Sequence, residues 1–448
     1  MDDVKIKKGY RFRMAGAPSM ELASLADPLQ VAFLPEKIPY IKPRLKVAEG
    51  DVVQIGSLLF EDKRNPEFQF LSPAGGVVRR IQFGPRRVVE AIVIDRDRNR
   101  EKRLQFPSIS AKDLESMDRS QLVDHILKGG LWWTFRQLPF RNLPDPEAIP
   151  PAIIVGLSAK EPFQPSPKVY LRDRFDLMTF GLKVLKTLSQ DRVMVFSNGD
   201  TPPPEEYHSI TTHRVWGNYP SDDAGAFLYY IKSSAEQNRA WYISGQDLIL
   251  LAQLLAQGQY PVDRIVSVAG SSAPKPRHFR TRLGVPLAHL VDNQELDDDV
   301  RFVVGGLFKG FASDRRGFMG HCETALNLVP KGSEAEFLAL FNPGLEKPTY
   351  SRTFLSRLNP SPLVYNCNLH GGERACIACM YCTDVCPVDM MPHMTYKAIL
   401  ADEVEEFLEH GLLDCVECGL CTYVCPSKIE LTRTFIDAKA AYAKEQGG

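Results

Sequence analysis

The chain has 448 residues, 44% hydrophobic and 24% charged, and its 54 Lys and Arg against 55 Asp and Glu leave a net charge of -1. That balance removes the electrostatic case for a nucleic-acid partner. The longest apolar stretch, around Leu248 to Ala256, is far short of the roughly 18 or more residues that a membrane span needs.

Length alone predicts about three domains. The opening Met-Asp-Asp-Val-Lys-Ile-Lys-Lys has no apolar export core. The expectation is therefore a cytoplasmic protein whose membrane association, if any, comes through a partner. Residues 1–105 read as all-β, with short runs such as Val52-Val53, Val77-Val78, Val88-Val89 and Ile92-Val93-Ile94 broken by Gly and Pro. The order Val47 to Val53, Gly56 to Phe60 and Ser72 to Val78 resembles the biotinyl/lipoyl barrel-sandwich family. Lys63 is the nearest candidate for a carrier lysine, but Arg64 to Phe68 make a longer connection than a lipoyl tip, and a solvated loop lysine is the plainer reading.

Residues 106–258 alternate helical patterns with the apolar strands Ala152 to Gly156 and Arg192 to Phe196, with a helix near 172–188 between them. Strand, helix, strand implies a parallel α/β layer. Pro-rich stretches at 144–151, 162–167 and 202–204 read as surface loops. Residues 259–340 carry Arg264 to Gly270 and Arg301 to Gly306, consistent with a small mixed sheet; 341–365 look like a linker and 366–448 like a helical domain. In that last part Tyr396, Ile399, Leu400, Val404, Phe407 and Leu408 form an apolar stripe at helical spacing. Asp402, Glu403, Glu405, Glu406 and Glu409 lie opposite, as a solvated face or a dock for a basic redox partner. A further helix carries Leu431, Phe435 and Ala438.

Eight of the ten cysteines fall into two runs, Cys376, Cys379, Cys382, Cys386-Pro387 and Cys415, Cys418, Cys421, Cys425-Pro426. Each reads C-x2-C-x2-C-x3-C-P, the bacterial signature of [4Fe-4S] clusters. Three thiolates on one tight loop reach three corners of a cube, and the fourth Cys serves the other cluster. The spacing thus predicts two [4Fe-4S] clusters: one on Cys376, Cys379, Cys382 and Cys425, the other on Cys415, Cys418, Cys421 and Cys386. Structural zinc pairs two C-x2-C dipeptides and has no use for a third Cys. Disulfides fit a reducing compartment still worse. Cys322 reads as a small buried hydrophobe, and Cys367, nine residues before Cys376, as a neighbour of a cluster that does not ligate it. His321, His370, His393 and His410 are scattered and read as surface or capping residues.

The order of barrel-sandwich, Rossmann-like, small β and twin-cluster segments resembles the C subunits of Rnf complexes and the related A subunits of sodium-translocating NADH:quinone reductases. Ile6-Lys7-Lys8-Gly9 with Met14 to Ser19, Phe60 to Pro66, Gly130 to Arg136, and Ser351-Arg352-Thr353-Phe354-Leu355 favour the second family. The resemblance implies a multidomain α+β fold: a barrel-sandwich hybrid, a Rossmann-like α/β domain, a small SLBB-like β-grasp domain and a helical dicluster ferredoxin domain. It also implies integral membrane and flavin-bearing partner subunits of an Nqr/Rnf-type complex. Better-known members of the second family lack a full ligand set, whereas both motifs here are complete. Rnf-type relatives carry a Gly-Gly-x-Gly-Phe-Pro loop for cofactor phosphates; here Gly129-Gly130-Leu131-Trp132-Trp133-Thr134-Phe135 stands in its place. Of a second family loop only Glu161-Pro162 survives, after Gly156-Leu157-Ser158-Ala159-Lys160. FMN and an NADH site are therefore not expected. Trp132, Trp133 and Phe135 border a quinone or simply fill a core. The leading expectation is an iron–sulfur electron-transfer subunit, peripheral on the inner face of the membrane, of an ion-translocating NADH:quinone reductase. The alternatives are a structural docking subunit whose clusters staple the fold and an Rnf-type NADH dehydrogenase subunit.

Overall fold

The computed structural model describes residues 1–158, 160–291, 296–333, 343–351 and 353–446. Ala159, Arg352 and the first two residues of the expected linker lie outside them. The β-branched runs Ile153–Gly156, Val193–Asn198 and His213–Trp216, with Trp241–Ser244, assemble in parallel at the centre of a six-stranded sheet. Its edges are Asp2–Lys5, parallel to His213–Trp216, and Arg136–Gln137, antiparallel to Trp241–Ser244. Helices Phe175–Ser189 and Gly245–Gln257 pack on each other against one face. The Leu248 to Ala256 stretch lies inside the second of these and is spent on core, because Leu248, Leu251, Ala252, Leu254 and Leu255 are buried. No helix among the described residues is long and apolar enough to cross a membrane.

The barrel-sandwich part consists of a four-stranded sheet (Gln30–Phe33, Val89–Arg96, Gly76–Phe83, Val52–Val53) over a three-stranded one (Pro43–Leu45, Leu58–Asp62, Gln69–Leu71). Between them Phe60 stacks on Phe70 at 4.4 Å and meets the edge of Phe33 at 5.1 Å. Lys63 is exposed at the start of the connection between Leu58–Asp62 and Gln69–Leu71. The first 24 residues, read as part of this all-β segment, are used elsewhere. Asp2–Lys5 extends the parallel sheet, and Leu22–Ser24 joins the edge of a mixed six-stranded sheet built from Asp263–Ala269, Arg277–Arg282, Val300–Val304, Phe311–Ser313 and Ala325–Pro330. Short strands with few neighbours of their own gain more by completing a larger sheet. Beyond it, the stretch read as a linker is tied down: Leu363 and the 13–15 backbone exchange hydrogen bonds of 2.7 and 2.9 Å.

The C-terminal part is helical and built twice. From Cys376 to Cys415 the offset is 39 residues, and the same offset relates helices Tyr381–Val385 and Leu420–Tyr423 and the starts of Pro392–Leu400 and Leu431–Glu445. The expected stripe through Leu400 and Val404 is corrected. Asp402 at φ 59° breaks the helix into Pro392–Leu400 and Val404–Glu409, and the register lost there leaves Leu400 and Val404 exposed while Phe407 stays buried. This domain shares one apolar core with the parallel sheet. Phe227, Leu228 and Tyr219 pack with Leu420, Val416, Leu412 and Phe435.

Candidate iron–sulfur site

Each three-cysteine loop bends through two left-handed residues, one on either side of its middle cysteine. They are Ala378 (φ 51°) and Met380 (φ 64°) in the first loop, Glu417 (φ 55°) and Gly419 (φ 79°) in the second. A third pair, Asp389 and Lys428, follows each Cys-Pro. Left-handed residues alternating with cysteines curl the chain around a point and turn the thiols inward. The fourth cysteine crosses over. Backbone carbonyls of Ser427 and Pro426 accept from Arg374 at 2.8 and 3.1 Å, and the Ser427 hydroxyl donates to Ala375 at 2.9 Å. Those three bonds hold Cys425 beside the entrance of the first loop. Cys376, Cys379, Cys382 and Cys425 line one small recess, bordered by Ile377, Met380, His393 and Leu431.

The other four gather separately. Burial raises the Cys386 thiol to about 12, with a further push from Cys415. Burial likewise raises Cys418, which also feels Cys415 and Cys386, and Cys421, which feels all three. Burial raises Cys415 as well. The bare chain thus holds these groups as thiols, and deprotonation requires a cation in their midst. Among the described residues no three His, Cys, Asp or Glu converge closely enough for a single metal ion. Four thiols around one recess that do not meet at a point suit a guest several ångströms across rather than zinc at about 2.3 Å from each sulfur. The donor set therefore fits [4Fe-4S] clusters.

A partly buried ionic network ties the second loop to the parallel sheet. Arg141 donates to both Asp223 oxygens at 3.0 Å and to the Val416 carbonyl at 2.9 Å, and Lys309 closes on the same carboxylate. Burial opposes the charge of Asp223, but Arg141 and Lys309 outweigh it and hold the carboxyl well below the usual range. Lys439, itself buried, donates to the Cys415 carbonyl at 3.0 Å and to Glu417 at 2.6 Å, and Tyr219 donates to the Cys418 carbonyl at 2.8 Å. Sequence reasoning missed Arg141, Asp223, Lys309 and Lys439. Each is a lone charge without motif spacing, so no local signal marks it.

Beside this network, at the carboxyl ends of the central strands, lies a cavity of about 320 Å3 lined by Trp133, Arg136, Asp222, Tyr242, Lys309 and Cys322 among others. Ligands in open α/β sheets favour this position. Its helix N-termini, however, are already filled by the chain's own carboxylates. Asp223 accepts from Gly225 and Ala226 at the start of Ala224–Ile231, and Ser244 caps Gly245–Gln257 with Asp247 beside it. The Gly129-Gly130 turn serves packing. A Cβ on Gly129 would meet Leu254 at 2.3 Å, and one on Gly130, at φ 64°, would meet Leu71 at 2.4 Å. Trp132, Trp133 and Phe135 are buried core, with Trp132 donating to Pro144 at 2.9 Å. Glu161 is used structurally, accepting from the Phe308 and Lys309 backbone at 2.9 and 3.0 Å.

Two cysteines and one histidine depart from their expected places. Cys322 accepts from Arg136 at 3.2 Å at the cavity wall, so it is a polar neighbour as well as a packed side chain. Cys367 sits against the mixed sheet, with its N–H on Pro330 at 3.1 Å and Arg301 beside its thiol, because residues 366–368 still follow that sheet. His321 is buried, stacked on Phe33 at 3.8 Å. His370 is exposed, His393 lies 3.2 Å from the Thr383 hydroxyl at the first recess, and His410 is half-buried.

Four family models match: the NqrA N-terminal barrel-sandwich hybrid domain over residues 4–97, the NqrA second alpha/beta domain over 117–260, the NQRA C-terminal domain over 265–314, and a 4Fe-4S dicluster domain over 375–429. The A subunit of the Na(+)-translocating NADH-quinone reductase from Histophilus somni strain 2336 is 30% identical over 413 residues, 92% of each chain. Its counterparts from Yersinia pestis and Vibrio anguillarum are 30% identical over 414 and 413 residues, again with 92% of each chain covered. Among solved structures, an NAD+-reducing [NiFe]-hydrogenase in the H2-reduced state aligns at a TM-score of 0.38 and 11% identity, over 75% of this chain and 69% of that one.

Proposed function

The chain belongs to the NqrA family of the Na(+)-translocating NADH-quinone reductase, and from that premise we propose that it is the complex's peripheral, cytoplasmic-face iron–sulfur component with two crossed ligand sets. Cys376, Cys379, Cys382 and Cys425 would hold one [4Fe-4S] cluster, and Cys415, Cys418, Cys421 and Cys386 the other. When bound, such clusters carry electrons one at a time. The observation that carries the reading is the grouping of the thiols: Cys425 shares the recess of the first loop, and Cys386 feels the charges of the second.

The chain's own residues do the rest. Burial of Cys382, Cys386 and Cys418 keeps water from the sulfurs, and Thr432, 3.3 Å from Cys421, offers a hydroxyl to one of them. Arg141, Lys439 and Tyr219 fix the second loop through its carbonyls. His393 and Met380 line the recess of the first. FMN and NADH sites are not part of this proposal. A phosphate at either helix N-terminus of the cavity would face Asp223 or Asp247, and buried indoles occupy the turn where relatives keep small residues. A quinone, which carries no phosphate, remains compatible with the cavity's mixed polar and aromatic wall, and the membrane and flavin-bearing subunits of an Nqr-type complex are the partners that the family implies.

Anaerobic purification followed by iron, sulfide, zinc and flavin analysis tests the proposal. About eight iron and eight sulfide per chain, with no stoichiometric flavin, are expected. Stoichiometric zinc without labile sulfide contradicts it.

A further inference from the structure

The 39-residue repeat makes two loops of one backbone design, yet their surroundings differ completely. In the second loop Val416 is 3% exposed, Cys418 is buried, and a Cβ on Gly419 would lie 3.2 Å from Phe308. At the equivalent positions of the first loop Ile377 is 68% exposed, Cys379 is exposed, and Met380 is 49% exposed. Ile377, Cys379, Met380 and His393 border one recess. At the start of the Pro392–Leu400 helix that follows, Met391 and Met394, three residues apart, are exposed as well. Exposed Ile and Met concentrated on one loop and the first turn of the next helix are the composition of a binding patch rather than of ordinary surface.

The exposed charges of this segment are mostly acidic. Between residues 373 and 409 the exposed acidic side chains are Glu373, Asp384, Asp389, Asp402, Glu403, Glu405, Glu406 and Glu409, and the exposed basic ones are Arg374 and Lys397. Of the acids, Asp389 is neutralised by Lys8 at 2.7 Å. An apolar centre with an acidic rim complements a partner that is apolar at its centre and basic at its rim, and the rim charge steers the encounter.

We propose that the Cys376–Cys382 loop and the first turn of the Pro392–Leu400 helix form the docking surface for a second electron-carrying protein with a basic-rimmed apolar contact face. The proposal rests on the cluster reading above, since exposed Cys379 makes this loop the approach to the first ligand set. The second loop is sealed against Phe308 and Tyr219.

Ferric cytochrome c, a small basic protein with an exposed haem edge, serves as the probe. Binding to the full chain is measured by titration calorimetry, and transfer by stopped flow after dithionite reduction of the chain, one electron converting each ferric haem to ferrous. The variants are Met391→Ser with Met394→Ser for the apolar centre and Glu405→Lys with Glu406→Lys for the rim, with Ile377→Ser as a second test of the centre. The expected result is a Kd weakened about tenfold between roughly 20 and 300 mM salt. Each pair of substitutions should also weaken it several-fold, with iron content unchanged and the rate to ferricyanide not reduced. A chain short of iron refutes the cluster reading and this inference with it. An iron-replete chain whose affinity ignores salt and both pairs of substitutions overturns the docking surface alone. It is equally overturned if the methionine substitutions abolish binding to phosphatidylcholine vesicles, or disperse a dimer of the chain, while leaving cytochrome c binding untouched.

Discussion

Asp223 is the residue whose loss should be felt most widely, because three elements meet on its carboxylate. It is buried, takes both oxygens' worth of Arg141 at 3.0 Å, closes on Lys309, and accepts from Gly225 at 2.8 Å as the N-cap of Ala224–Ile231. Asp223→Asn keeps a capping oxygen and removes the charge, leaving the partly buried Arg141 and the more exposed Lys309 without their shared anion. Removing the shared partner of such a partly buried network costs about 1–3 kcal/mol. Asp223→Ala removes the cap too, for about 1 kcal/mol more. The order parent, Asn, Ala should therefore appear in urea titrations of the full chain, with the larger step first. Tryptophan emission reads the right region, because all four tryptophans, Trp132, Trp133, Trp216 and Trp241, belong to the parallel-sheet part. Since Arg141 also holds the Val416 carbonyl, the same variants should lose the Cys415 to Cys421 environment at lower urea than the parent. If both variants stay within about 1 kcal/mol of the parent, the network is not what joins loop to sheet.

Burial, and then the charge of Arg264, push His321 down to about 3, so it is neutral in the fold while the unfolded chain protonates it below about 6.5. Its contribution is fully present above pH 6.5 and is lost toward pH 3 by up to about 1.4 kcal/mol per unit; His321→Phe should flatten the acid limb of stability by that slope, and an unchanged limb refutes the assignment. Gly419→Ala should cost about 1–2 kcal/mol in thermal unfolding, from left-handed backbone and the 3.2 Å approach to Phe308, whereas Met380→Gly at the equivalent open position should be neutral or stabilising. Adding NADH to the purified chain should leave the cluster absorbance unchanged over minutes, and rapid bleaching would restore an Rnf-type dehydrogenase reading.

The dicluster motif was legible because its chemistry is local: three thiols within seven residues and a proline after the fourth announce themselves whatever surrounds them. The barrel sandwich and the βαβ layer were legible for the same reason, through runs of β-branched residues separated by turns. What periodicity hides is long-range pairing. Nothing in Asp2–Lys5 says that it will lie beside His213–Trp216, because four residues of mixed polarity fit any sheet edge. The stripe through Leu400 and Val404 failed because one left-handed residue, Asp402, resets helical phase, and a sequence window cannot see it. The aromatics at 132–135 were ambiguous as pattern and became core only once Leu71 and Leu254 closed on the preceding glycines. Arg141, Asp223 and Lys309 stood apart in sequence by more than 80 residues each and met only in the fold.

The fourth cysteines are taken to cross between the two loops, and anaerobic spectra of four single variants test that most directly. Cys425→Ser is predicted to perturb the electron paramagnetic resonance signal that Cys376→Ser also perturbs, and Cys386→Ser the signal shared with Cys418→Ser. If Cys425→Ser instead alters the signal that Cys418→Ser alters, each loop closes on its own fourth cysteine and the crossed arrangement is wrong.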